Sequence, residues 1–177
     1  MAPYQREAIL GKTRDLIATD WDKANTDGIG PDASAPLDLT VHTRGHDSKV
    51  GNPQVALTLV DETPSGIGIA GDGTGPVFDT DGLLQAACIA GSHERLDAAG
   101  IDESPSDVAY RMAQEVKRIW HTKAPTGLVD GSGELEYDGI RPAQVRPLPN
   151  AQRETNPATH GFLVELQYDY SDKTPSP

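Results

Sequence analysis

The apolar positions of this chain change period along its length, and each period predicts an element. Between Pro3 and about Ala24, Ile9, Leu10, Leu16, Ile17 and Trp21 recur at helical spacing, with Arg6, Glu7, Lys12 and Asp15 between them, which predicts an amphipathic helix. Residues 25–36, NTDGIGPDASAP, collect Gly, Pro, Asp and Ser and predict a loop. Residues 37–42 alternate strictly, with Leu37, Leu39 and Val41 on one face of a strand. After a turn from Arg44 to Pro53, a second strand turns Val55, Leu57 and Leu59 one way and Ala56, Thr58 and Val60 the other, so cover on both faces is expected.

Residues 63–82 are dense in glycine, with two short apolar stretches at 67–70 and 77–78, and predict a long, mobile hairpin. Residues 83–90 fit a helix by composition and a half-buried strand by the alternation of Leu84, Ala86, Cys88 and Ala90; the strand reading is preferred. Ser104-Pro105-Ser106-Asp107 combines an N-cap serine, a proline at the first helical position and an acid placed to answer the cap. Val108, Met112, Val116, Ile119 and Trp120 then form one apolar face, His121 and Lys123 suit the C-terminal dipole, and Pro125 ends the helix. Residues 134–137 are a short strand candidate. Phe162, Val164, Leu166, Tyr168 and Tyr170 alternate with Leu163, Glu165, Gln167 and Asp169, a long strand with one packed face, and 171–177 read as a polar tail. The order predicts one α+β domain over 1–177, folded from 3 to 170. Its expected form is a mostly antiparallel sheet with two main helices on one face and a long glycine-rich hairpin arm.

Charge changes the picture more than size does. The 177 residues carry 18 Asp and 9 Glu against 9 Arg and 6 Lys, a net charge of −12. Short carboxylates keep water and cations at the surface, whereas long lysine stems expose methylenes that concentrated salt drives together, so the balance suits a salt-rich environment. At ~1 M salt the Debye length is about 3 Å and like-charge repulsion is largely screened. An ordinary acidic mesophile protein is the alternative. Either way, a chain this acidic is not built to grip a phosphate backbone. No apolar run is long enough for a membrane span, and the first residues pass straight into charged positions, so neither a membrane partner nor a secretory signal is expected. A single cysteine, Cys88, excludes an internal disulfide and the usual multi-cysteine zinc clusters.

No constellation specifies a reaction. Residues 66–71 satisfy GxGxxG, but Gly and Pro follow where a helix should open. His42, His46 and Asp47 carry metal-donor chemistry on a strand-to-turn path without a common face, and a solvated turn is the stronger reading. Asp72, Asp79 and Asp81 lack the ligand ladder of a calcium loop. Cys88 near His93 and Glu94 has the types of a nucleophile pair, although a lone cysteine in an alanine-rich run is more often core filler. Gly131-Ser132-Gly133 reads as a turn, and Trp21 with Trp120 as core or interface.

With that order of elements, the chain resembles the tail-terminator (tail-completion) proteins of tailed viruses, in a variant suited to viruses of salt-loving archaea. The resemblance is carried by residues 84–91 (LQAACIAG), the helix over 104–121 and the closing 160–166 (HGFLVEL), within a pattern of elements spanning roughly 3–170. It implies a virion protein without catalysis or cofactor: a homohexameric ring that caps the tail-tube protein and meets the head connector, with DNA passing through unbound. Another head-to-tail neck protein is the alternative in the same class, and a small metal-dependent hydrolase using His42, His46 and the Asp72 loop the alternative in another. The residues expected to make subunit or partner contacts lie on the arm: Gly66, Ile67, Gly68, Ile69, Asp72, Gly73, Thr74, Val77 and Phe78.

Overall fold

In the computed structural model, which describes residues 4–45, 51–69, 76–128, 137–148 and 161–173, the first element is helix α1, Tyr4–Asp20. Ile9, Thr13, Ile17 and Trp21, four apart, form its buried stripe. The helix ends where the Trp21 indole N–H donates to Thr26 Oγ1 and to the Ile29 carbonyl, which draws the chain into a 3-10 turn, Lys23–Thr26. Asp22 caps that turn through the Ala24 N–H, and Asp27 leaves it in the left-handed conformation at φ 52°.

The strand expected over 37–42 is broken at Leu39. Strand β1 (Ile29–Gly30) pairs in parallel with β2 (Leu37–Asp38), and the Leu39 N–H donates to the Gly30 carbonyl, while β3 (Thr40–His42) runs parallel to β4 (Gln54–Ile69). Alternation is preserved, because Leu37 and Leu39 are both buried, but the two halves bond to different partners. Strands β4 and β5 (Pro76–Ile89) pair antiparallel over a longer span than the hairpin predicted at 63–82, and β8 (Gly161–Lys173) lies antiparallel against β5. Helix α2 (His93–Ala98, capped by Ser92) follows β5, then α3 (Pro105–Thr122) and α4 (Ala124–Gly127). Pro125 thus opens a further helical turn just after α3 has ended. Strands β6 (Tyr137–Ile140) and β7 (Gln144–Pro147) both pair with β8, giving the order β3-β4-β5-β8-β6 with β7 also on β8. The fold is α+β, antiparallel in the main sheet except for the β3–β4 pair.

Both main helices lie on one face of this sheet: α1 against β3 and β4, α3 against β5 and β8. Between the layers sit Val55, Leu57, Leu59, Leu84, Ala86, Cys88, Val164 and Leu166 from the strands, and Val108, Met112, Val116, Ile119 and Trp120 from α3. Among the described residues, the opposite face carries a small apolar cluster, Ala56, Ala87, Leu163 and Leu148, the last placed just after β7. Helix α3 starts as its sequence predicts, with Ser104 Oγ accepting the Asp107 N–H and bonding the Asp107 carboxylate at 2.6 Å. Among the described residues, no helix is long and apolar enough to cross a membrane.

One charged residue interrupts the buried face of α3. Glu115 is 2% exposed and accepts from the Asp22 N–H (2.8 Å), Asn25 Nδ2 (2.8 Å) and the Arg118 guanidinium (2.6 and 2.9 Å). Burial pushes its pKa up, but the bonds from Arg118, Asp22 and Asn25 outweigh it and hold the carboxyl below its ordinary value. It therefore ties α3 to the end of α1, with stability that is present at neutral pH and lost as pH falls through the depressed native value. Replacing Glu115→Ala is expected to cost about 2 kcal/mol, since it removes the buried acceptor shared by Arg118, the Asp22 N–H and Asn25 while leaving those partly exposed donors to water, and to lower Tm by roughly 6 °C at neutral pH. Thermal melts taken at successively lower pH should show the gap to the parent protein closing as the parent's carboxylate becomes protonated.

Candidate assembly surface

The hairpin is about twice as long as the helices laid on it. At ~3.3 Å per residue the 16 residues of β4 reach roughly 50 Å, whereas at ~1.5 Å per residue the 18 of α3 reach roughly 27 Å. Among the described side chains, the buried positions nearest the tip are Thr80, Gly82 and Tyr168, and β4, β5 and β8 continue past them as three paired strands. Gly66, Ile67, Gly68 and Ile69 are in β4, and Val77 and Phe78 in β5, joined by the pairs Gly68↔Val77 and Ile67↔Phe78. Lys173 and Asp172 of β8 pair with Val77 and Phe78 from the other side. Asp72, Gly73 and Thr74 lie outside the described residues. Among the described residues, the outer edge of β4 has a strand partner only at 54–56, where β3 pairs, and none from Leu57 onward.

Helical cover ends where β4 changes phase. Leu59 faces Leu84 in the core, but an extra residue, Val60, bulges out at 47% exposure, and Asp61 then pairs with Leu83 on the open face. Without that bulge, the odd-numbered rhythm of Val55, Leu57 and Leu59 would drive the Asp61 carboxylate inward. A second bulge falls between Pro64 and Gly66, and Pro64 adds a position without an N–H. Between the bulges, Glu62, Gly82, Tyr168 and Ile140 stand in one row across four strands. The Tyr168 ring lies over Gly82, where a Cβ would collide with it, and its hydroxyl donates to Glu62 Oε1 at 3.0 Å.

On the open face of the same segment is a cavity of about 240 Å³, with Asp61, Thr63, Asp81, Gln167, Asp169 and Arg141 on its walls. Asp81 and Asp169 face each other across β5 and β8. Arg141, just past β6, bonds Asp169 Oδ1 at 2.9 Å and Asp81 Oδ1 at 3.4 Å. Its backbone is fixed as well: the N–H donates to the Gln167 carbonyl, and the Trp120 indole donates to its carbonyl at 3.1 Å. Partial burial and the adjacent Asp81 carboxyl push the Asp169 pKa up against the pull of Arg141.

The remaining candidates are dispersed. His42 Nδ1 accepts the Arg44 N–H, and its Nε2 meets Gln54 Oε1 at 3.1 Å, so both ring nitrogens are engaged within the chain. His46 and Asp47 lie outside the described residues, as do Ala70, Gly71 and residues 131–133. The GxG of residues 66–68 lies in a strand, away from any helix start. Asp81 is held by Arg141, while Asp79 is exposed. Cys88 is wholly buried, which pushes its thiol far above the ordinary range, and His93 pairs instead with Asp97 at 3.2 Å. Trp21 and Trp120 are core residues whose indole N–H groups bond within the chain. Glu115 and Arg141 escaped the sequence reading. The first was visible as an acid between Met112 and Ile119 on an apolar helical face, and the second had no local signal at all. No protein-family model matches the sequence, and no curated protein matches it.

Overpacking at the Tyr168–Gly82 contact is expected to cost about 1–3 kcal/mol in Gly82→Ala, read from denaturant unfolding. The loss should shrink in a Tyr168→Leu background, where the obstructing ring is gone. For Cys88, a thiol reagent should label the native protein only as fast as it unfolds, and label it at once in denaturant.

Proposed function

We propose that this chain is a structural assembly protein of a tailed virus, a tail terminator that closes into a homohexameric ring. In this reading the ring caps the tail tube, meets the head connector, resides in the virion and performs no catalysis. The observation that carries the reading is the arm. Three strands run roughly 20 Å past the helices that cover their first half. The edge of β4 is unpaired among the described residues from Leu57 on. An edge left open along the described part of the arm suits strand addition to a neighbour. A ring built this way uses two different patches per subunit and closes by rotation. The segments that carry the resemblance also pack together, α3 lying across β5 and β8. The net charge of −12 fits a channel along which DNA slides without sticking, and a host rich in salt.

The test is the absolute mass by light scattering in about 2 M salt, for the intact chain and for one in which Ile67 to Phe78 is replaced by Asn-Gly. That replacement leaves Gly66 and Asp79, which face each other in the ladder, flanking a two-residue turn. The expected masses are near six times the 18.8 kDa of one chain for the intact protein and a single chain for the trimmed one, with unchanged circular dichroism. Added to polymerising tail-tube protein, the intact chain should close tube ends and the trimmed chain should not. A ring that binds the connector and leaves tubes growing would favour the other neck position. An intact chain that stays monomeric even with tube protein present would overturn the assembly reading.

A further inference from the structure

The root of the arm carries a feature that ring formation does not require. Both bulges of β4 fall within six residues, on either side of Glu62 and Thr63, and they interrupt the regular ladder where the helical cover stops. In that interval β5 contributes Gly82, which has no side chain to brace the row. Two polar latches hold the segment, one on each face. On the helix side the Tyr168 hydroxyl reaches across Gly82 to Glu62. On the open side Arg141 spans Asp81 and Asp169, with its own backbone pinned to β8 and to Trp120 of α3.

The two latches differ in charge. The Tyr168–Glu62 bond joins a neutral donor to one carboxylate. The other latch sets two carboxyl groups, directly opposed in the ladder and both bonded by Arg141 Nη2, against one guanidinium. Among the described side chains, the charged groups facing them are Asp61 and Asp79 on the open face of β4 and β5, while Arg146 is taken by Glu165 farther along β8. From α3, His121 Nε2 accepts the Ala143 N–H and so holds the segment that carries Arg141 without facing the carboxyls. With both carboxyls ionised, one guanidinium leaves the pair with an uncancelled negative charge, and opposed like charges weaken a ladder. With one proton shared between them, the pair carries a single charge that Arg141 balances.

We propose that the root of the arm is a charge-gated joint: one proton shared by Asp81 and Asp169, or screening by concentrated salt, locks the arm onto the sheet, and ionisation in dilute neutral solution releases it. Partial burial beside Asp81 raises the proton affinity of Asp169, which agrees in direction. A carboxyl with a raised native pKa stabilises the closed arrangement most at low pH and loses that contribution as pH rises through the raised value. The joint belongs to the single chain and holds whatever the arm docks against.

Hydrogen exchange followed by mass spectrometry, corrected for the intrinsic pH dependence, tests it on peptides covering Thr80 to Leu83 and Gln167 to Asp169, with Leu84 to Ile89 as the core reference. In the parent protein, protection of the root relative to the core should rise up to about tenfold for each pH unit lowered through the window of the raised pKa. It should also rise with salt at neutral pH. Asp169→Asn, whose amide can donate to Asp81 and leaves one carboxylate for Arg141, should show the locked level already at neutral pH, with the slope gone. Asp81→Asn should do the same, and provides the measurement if the first variant fails to fold. Asp102→Asn, an exposed carboxylate elsewhere, should keep the parent's slope. A parent profile flat in both pH and salt, or Asn variants that keep the parent's slope or exchange faster at the root, would overturn the joint.

Discussion

A sheet strand rises more than twice as far per residue as a helix, and in this chain that mismatch is left uncompensated. The hairpin and β8 are laid down as strands of 13 to 16 residues, while the helices set against them have 17 and 18. Helices of that length span about half of such strands, and the described apolar core lies in that half. Much of the rest follows from where that division falls. Leu59, Leu84 and Leu166 make the last full apolar row. One row on, the bulge at Val60 reverses the phase of β4 and keeps Asp61 out of the core. There Gly82 and Tyr168 replace ordinary packing with a ring laid over an empty position.

Helix α3 holds the covered half together through polar contacts at its middle and its C-terminal end as well as through its apolar face. Toward its middle, Glu115 gathers Arg118, Asn25 and the Asp22 N–H, so the 3-10 turn after α1 is fastened to α3. At its C-terminal end, Trp120 and His121 bond the backbone of Arg141 and Ala143 and hold the link between β6 and β7. Arg141 then extends this hold to the arm by reaching Asp81 and Asp169. The same helix that organises the core therefore braces the root of the arm through one arginine, which is why the charge balance around that arginine matters to an element that α3 cannot cover.

Long periodic segments were legible in the sequence. The capped helix from Ser104, the closing strand through Phe162 to Tyr168, the strand from Val55 to Val60 and the glycine-rich hairpin over 63–82 carry their own signals of caps, alternation and glycine-rich interruption. The ambiguous stretch 83–90 resolved to strand because β4 and β8 flank it on both sides, a tertiary fact that composition does not contain. Three kinds of feature were hidden for physical reasons. Helices of four to six residues, α2 and α4, are too short to show a period. A bulge is one extra residue in a pairing, so it becomes visible only when the partner strand is known. The parallel pairs of β2 and β3 depend on Leu39, between the two strands, bonding to Gly30 at the end of β1, a contact that no local pattern announces. At the site, the arm residues of β4 and β5 were legible as glycine and isoleucine alternation. The latch of Arg141 was not, because its members are brought together by register alone.

In the proposed ring, the half of the sheet beyond the helices packs against a neighbouring subunit. Hydrogen exchange measured across a wide range of protein concentration in about 2 M salt addresses it directly. The account predicts that amides of Gly66 to Ile69 and Val77 to Asp79 gain protection as concentration rises, while those of Leu84 to Ile89, already buried within one chain, stay constant. Protection of the arm that is the same at every concentration would contradict it.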